Sequence, residues 1–216
     1  MNLYVYDHCP FCVKARAIFG LKKMPMTLKV LANDDEATPI KMVGQKMLPI
    51  LEKDDGTFMP ESMDIVYYVD GLSGPSVLGG AVRVEIGQWL VENQKLIHQL
   101  VMPRSVHIGL AEFATESARD YYIKKKQAYL GPFTECMLLS PNFIKQMNQQ
   151  LLVLETVMRG TEACNGTELS TDDIHLFAVL RNLSMVKGLV YPAKVAAYRV
   201  GMAERTQVPL FDEVAI

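Results

Sequence analysis

The spacing of apolar positions divides the chain into two unlike stretches. In the first, short β-prone runs alternate with helical periodicity. Leu3-Tyr4-Val5-Tyr6 is rich in aromatic and β-branched side chains and reads as a strand. Val13, Ala17, Ile18 and Leu21 then recur at helical spacing, with Lys14 and Arg16 on the other side. Pro10 falls in the first turn of that helix, where a missing N–H costs nothing, while Gly20 is a weak spot near its end and Pro25 lies just past it. Met26 to Ala32 reads as a second strand, and the stretch from Asn33 to Gly44 holds a short helix interrupted by Pro39. Met47 to Glu52 reads as a strand opened by a proline, Asp55-Gly56 as a hairpin turn, and Thr57-Phe58-Met59 as the returning strand. Ser62 starts a helix that runs through Ile65, Val66, Tyr68 and Val69 to Leu72. The order is β-α-β-α-β-β-α, and the strands around the first helix should pair in parallel through a right-handed crossover.

The second stretch is helical. Ser73-Gly74-Pro75-Ser76-Val77-Leu78-Gly79-Gly80 concentrates helix breakers and reads as a linker. The organisation expected is therefore a domain at 1–72, a linker at 73–81 and an α-helical domain at 82–216. Ile86, Trp89, Leu90, Leu96, Ile97, Leu100 and Val101 form one apolar stripe, which Pro103 kinks or ends. Ile144, Met147, Leu151, Leu154 and Met158 form another, and Ile174, Phe177, Ala178 and Met185 a third. Before the third lies Ser170-Thr171-Asp172-Asp173, a capping box with Ser170 at the N-cap and Asp173 at N3, flanked by a Leu169/Ile174 hydrophobic staple.

Composition narrows the function class. Half of the 216 residues are hydrophobic and 21% are charged, an ordinary globular balance, and the net charge of -2 invites neither nucleic acid nor an acidic-tail reading. The basic run Lys124-Lys125-Lys126 reads as a solvated helix face. No window approaches the roughly 18 uninterrupted apolar residues of a membrane span. The N-terminus lacks a basic n-region and an apolar h-region, so the cytoplasm is the expected compartment. Four cysteines are too few for a disulfide scaffold, and the sequons at Asn165 and Asn182 read as chance. Cys136 and Cys164 stand alone and read as small core or surface residues. None of the four histidines forms a metal-spaced pair, so no metal site is expected.

Cys9-Pro10-Phe11-Cys12 remains, and a C-x-x-C beside a strand-helix-strand pattern reads as a redox dithiol. A cysteine just before a helix sees orphan N–H groups and the positive end of the dipole, both of which favour the thiolate. Cys9 has that position and Cys12 lies inside the first turn, so Cys9 should be the low-pKa nucleophile and Cys12 the resolving thiol. Phe11 offers an apolar wall for a substrate. A charged His8 would favour the thiolate and Asp7 oppose it; both read as loop residues.

The element order, with Cys-Pro-Phe-Cys at the first strand-to-helix turn and Leu48-Pro49 opening the third strand, resembles the thioredoxin fold. The active turn is similar to the Cys-Pro-Tyr-Cys of glutaredoxins. Glu61-Ser62 resembles the acidic-Ser motif with which glutathione transferases hold the γ-glutamyl end of glutathione, and the Ser170–Asp173 box resembles the start of a central helix in their α-helical domain. Together these features resemble the large bacterial glutaredoxins built like a glutathione transferase. The resemblance implies an α/β thioredoxin-like N-terminal domain plus an all-α, glutathione-transferase-like C-terminal domain. It implies a monomer that reduces disulfide-bonded or glutathionylated proteins, with glutathione as reducing co-substrate and no permanently bound cofactor. Cys9 and Cys12 would be catalytic, and Phe11, Leu48, Pro49, Glu61 and Ser62 would hold glutathione. In the family the proline is cis and faces the dithiol. Small glutaredoxins often carry a Lys shortly before the first cysteine; here Tyr6-Asp7-His8 precede it, leaving Lys22, Lys23 and Lys46 as candidates for glutathione's glycine carboxylate. The alternative is a cysteine-type glutathione transferase or dehydroascorbate reductase, which does not need Cys12.

Overall fold

The computed structural model describes residues 1–216. Four strands form one mixed sheet in the order β2-β1-β3-β4, where β1 is Asn2–Val5, β2 Thr27–Val30, β3 Ile50–Glu52 and β4 Phe58–Met59. β1 pairs parallel with β2 and antiparallel with β3, which pairs antiparallel with β4. The period-2 pattern of β1 is realised: Leu3 and Val5 are fully buried. On the opposite side, Asn2 Nδ2 and Tyr4 Oη donate to the Glu52 carboxylate at 2.8 and 3.0 Å. The helices of this part are α1 (Pro10–Leu21), α2 (Ala37–Val43) and α3 (Ser62–Leu72).

The remainder is helical: α4 (Val84–Ser105), α5 (Glu116–Leu130), α6 (Phe133–Leu138), α7 (Ser140–Val157), α8 (Thr171–Leu183) and α9 (Ala193–Thr206), with 3-10 turns at Ala111–Phe113 and Asp212–Val214. α8 is the centre. The capping box forms, with Ser170 N–H donating to Asp173 Oδ2 at 2.8 Å, and Asp173 Oδ1 also accepts from Cys164 N–H and Tyr198 Oη. α1 packs against α3 on one side and against α8 and α9 on the other. As a result one apolar cluster runs without a break from Leu3 to Phe211. Cys136 and Cys164 are both buried, as small core residues.

Several local expectations change in three dimensions. The second strand is shorter than Met26 to Ala32, and all four of its residues are exposed along the sheet edge. The third strand starts at Ile50, not Met47; the cis peptide Leu48-Pro49 lies just ahead of it, and proline has no N–H to give to a ladder. Pro39 does not interrupt a helix: it is the third residue of α2, in a first turn whose N–H groups have no intrahelical partner. Pro103 does not end its helix: α4 runs past it to Ser105. Ser62 does start its helix, which ends at Leu72 as expected. Its N-cap is Glu61, with a left-handed φ of 70°. Of the lysine run, Lys124 and Lys125 are exposed, but Lys126 turns into a cleft beside Tyr122.

Gly20 is a contact point as well as a weak link in its helix. A Cβ there would lie 1.9 Å from the Thr206 carbonyl oxygen, so the close approach of α1 to the end of α9 requires hydrogen at this position. Gly20→Ala should therefore destabilise the protein by about 1–3 kcal/mol through overpacking, despite alanine's better helix propensity. A urea midpoint equal to or above that of wild type would contradict this contact.

Candidate active site

The turn from β1 to α1 carries the dithiol. Cys9 is the N-cap of α1 with extended backbone (φ −79°, ψ 119°), and Pro10 follows at N1. The Cys9 carbonyl accepts the first helical bond from Val13 N–H at 3.0 Å, while its Sγ faces the orphan amides of the first turn. Cys9 is half-buried and Cys12 wholly buried behind it.

The two thiols are driven apart in acidity. A hydrogen bond from the Cys12 thiol, the charge of His8 and the Phe11 and Cys12 amides outweigh burial and lower the Cys9 pKa to about 6. Cys12 is pushed well above the ordinary thiol value by burial and by donating to the Cys9 thiolate. Tyr6 N–H donates weakly to Cys12 Sγ at 3.4 Å. One sulfur is thus an anion at neutral pH and its neighbour holds a proton, which is the arrangement thiol–disulfide exchange needs.

Asp7 and His8, expected to be plain loop residues, are anchors. Asp7 Oδ1 accepts from Arg16 Nη1 and, at 2.8 Å, from Arg181 Nη2. Burial pushes the Asp7 carboxyl up, but the Arg181 and Arg16 charges together hold it below the usual carboxylate value. Arg181 is fully buried; it also bonds the Asp7 and Pro209 carbonyls and lies 3.6 Å over the Phe211 ring. His8 is buried, and both its backbone N–H and its Nδ1 meet Glu112 Oε1 at 2.8 Å. The His8 carbonyl accepts from Asn182 Nδ2 at 2.7 Å, so this asparagine is occupied inside the fold.

A cleft of about 730 Å³ opens beside the dithiol, between the α/β part and the helices. Cys9, Pro10 and Phe11 line one wall; Leu90, Val91, Ile97, Val101, Met102 and Val179 supply apolar surface opposite. Phe11 is 55% exposed there, so it is a wall and not core packing. The cleft carries cationic side chains in Lys14 and Lys126, together with His98 and His175. Burial lowers the pKa of Lys14 and of both histidines, because it disfavours the charged form.

Leu48, Pro49, Glu61 and Ser62 do not line this cleft. Pro49 and Ser62 are buried, while Glu61 is exposed at the positive end of the α3 dipole. Among the candidate lysines, Lys22 is already used, bonding the Asp70 and Pro75 carbonyls at 2.8 and 2.9 Å. Lys23 follows the far end of α1, a helix about 18 Å long that carries the dithiol at its start. Lys46 precedes Leu48-Pro49, donates to the Asn33 carbonyl at 2.5 Å and lies 3.6 Å over the Tyr121 ring. Its burial beside Lys125 lowers its pKa to about 8.

Residues 85–215 match the family described as "Glutaredoxin 2, C terminal domain", and residues 3–76 match "Glutathione S-transferase, N-terminal domain". The chain belongs to the glutaredoxin 2 family. It is 48% identical to glutaredoxin 2 of Escherichia coli K12 over 216 residues, covering 100% of both chains. The crystal structure of glutaredoxin 2 from Salmonella typhimurium, solved in complex with glutathione, superposes with a TM-score of 0.97 at 50% identity, covering 100% of this chain and 98% of that one. Saccharomyces cerevisiae Gtt2 shares the fold, with a TM-score of 0.56 at 23% identity, covering 99% of this chain and 100% of its own. A glutaredoxin 2 fold thus brings together an α/β dithiol unit of glutathione-transferase type and a helical unit whose residues reach the dithiol.

Two outcomes test this site. Alkylation of the reduced protein should follow a single ionisation near pH 6, falling as pH drops below it, with Cys9 modified and Cys12 spared at neutral pH; peptide mass mapping distinguishes the two sulfurs. Asp7→Ala should cost about 3 kcal/mol in urea unfolding, since it leaves the buried Arg181 guanidinium without its carboxylate; a loss below about 1 kcal/mol, the level of a surface pair, would contradict a structural role for this pair.

Proposed function

We propose that the chain is a glutathione-dependent thiol–disulfide oxidoreductase that works through Cys9 and Cys12. The observation that carries this reading is the split between the two sulfurs: a stabilised thiolate at the helix start and a protonated thiol bonded to it from behind. The Cys9 thiolate attacks one sulfur of a substrate disulfide, forming a Cys9 mixed disulfide and releasing the other sulfur as a thiolate. With a protein disulfide, Cys12 loses its proton and attacks Cys9, freeing the second substrate thiol and leaving a Cys9–Cys12 disulfide. Two glutathione thiols reduce that bond in turn and leave as oxidised glutathione. With a glutathionylated substrate, Cys9 suffices alone.

Glutathione is the co-substrate, a reading supported by the glutathione bound in the Salmonella relative. The Leu48 backbone, just before the cis peptide to Pro49, is suited to pair with it as an added strand. The exposed Glu61 carboxylate suits its ammonium group, and the Ser62 hydroxyl and α3 amides suit its carboxylate. Phe11 walls the substrate side, and Lys46, two residues before Leu48, is the lysine that suits the glycine carboxylate if it gives up its bond to the Asn33 carbonyl. On this reading the protein is a monomer of the cytoplasm with domains at 1–72 and 82–216 joined by 73–81, its partners are glutathionylated or disulfide-bonded proteins, and it holds no permanent cofactor.

Turnover of a small glutathione mixed disulfide, with glutathione and glutathione reductase present, tests the assignment. Wild type should be active, Cys9→Ser reduced to background, and Cys12→Ser partly active. A wild-type protein inactive in this assay yet able to conjugate an electrophile to glutathione would instead be a transferase.

A further inference from the structure

Glu112 is the least expected charge in the molecule. It is completely buried, on the 3-10 turn Ala111–Phe113. Its Oε2 is buried without a partner, and its Oε1 bonds only to His8. Such a carboxylate is costly unless a cation stands against it. An ionised carboxylate oxygen can only accept, so with Glu112 ionised Oε1 takes both the His8 backbone N–H and a proton carried on Nδ1. Phe113 and Tyr122 pack on the ring at centroid distances of 4.9 and 5.0 Å and hold its plane. His8 Nε2 bonds no protein atom and is not among the buried unpartnered atoms, and His8 lines the cleft next to Cys9.

We propose that Glu112, from the helical part of the chain, is a positioning residue for Cys9: it orients the His8 ring and balances its charge, so that an imidazolium stands beside the Cys9 thiolate. The inference rests on Cys9 being the nucleophile. Other charged and titratable groups surround the pair, among them Tyr6, whose buried hydroxyl has no partner. Arg181 of α8 feels the Glu112 charge but is engaged by Asp7, with Arg16 on the same carboxylate. Tyr6 stacks on the ring at 5.8 Å; Lys126 of α5 sits over Tyr122 at 5.7 Å; Lys14 of α1 faces Cys9. None of them bonds to His8 or to the free Glu112 oxygen, so Glu112 is the one group that holds the imidazole from behind. Through it the helical part acts on the acidity of a sulfur more than a hundred residues away in sequence, and it does so without touching that sulfur.

The test reads the thiolate itself and not turnover. Ultraviolet thiolate absorbance and alkylation rate are followed against pH in the full-length reduced protein. Wild type should titrate near pH 6. Glu112→Gln keeps shape and one acceptor but removes the charge; it should raise the Cys9 pKa by about one unit, slowing alkylation at pH 6 about fivefold. His8→Gln should raise it similarly, and Glu112→Gln should add nothing in that background. A Glu112→Gln protein with a lower Tm but an unmoved Cys9 titration would overturn the proposal, as would an equal further shift without His8. If Glu112→Gln does not fold, His8→Gln alone decides: an unmoved titration overturns it. A wild-type protein with no low-pH thiolate would remove the nucleophile assignment as well, which separates that failure from this one.

Discussion

The buried contact of Arg181 with Asp7 ties the dithiol turn to the helical part, and the site depends on it. Arg181 is fully buried on α8, where water cannot serve its guanidinium, so its donors must be met by protein. They are met by the Asp7 carboxylate and carbonyl and by the Pro209 carbonyl. Asp7 lies two residues before Cys9. The loop that presents the nucleophile is thus held by a helix 174 residues away in sequence, and the capping box that starts that helix contributes indirectly to the placement of Cys9. Asn182, the next residue on α8, holds the His8 carbonyl and completes the anchor.

A rigid turn matters because the chemistry there is a matter of small electrostatic differences. Cys9 and Cys12 are the same side chain in the same helical turn. They differ in which one lies at the open end of α1 and which lies inside the core. The amides and His8 favour the anion at the first; desolvation and the shared proton disfavour it at the second. Movement of the turn would blur this distinction, and with it the order of attack and resolution.

Much of the architecture was legible along the chain because it follows local rules. The β1–α1 turn, Pro10 at N1, the Asp55-Gly56 hairpin and the Ser170–Asp173 box each rest on residues within a few positions of each other. The errors share one cause. Pro39 and Pro103 look like breakers along the chain, yet one sits in a first turn and the other is carried inside α4; Gly20 is a weak spot in its helix and, in three dimensions, also the point where α9 approaches. Lys22 looked available and is consumed by Asp70 and Pro75 carbonyls. Arg181 did leave a trace: it falls at the position where the Ile174, Phe177, Ala178 stripe calls for an apolar side chain, which signals a buried partner. Glu112 left none, because nothing near it in sequence marks the turn as buried.

The sequence by itself determined the identity of the chemistry: two cysteines at the start of a helix, with the first placed to ionise. That follows from backbone amides within one turn, a local property. Only the tertiary structure decided how the thiolate is held. Desolvation, the Glu112–His8 pair and the Arg181–Asp7 anchor act through space between residues 104 and 174 positions apart, and Coulombic and burial effects depend on distance in the folded molecule and not on separation along the chain.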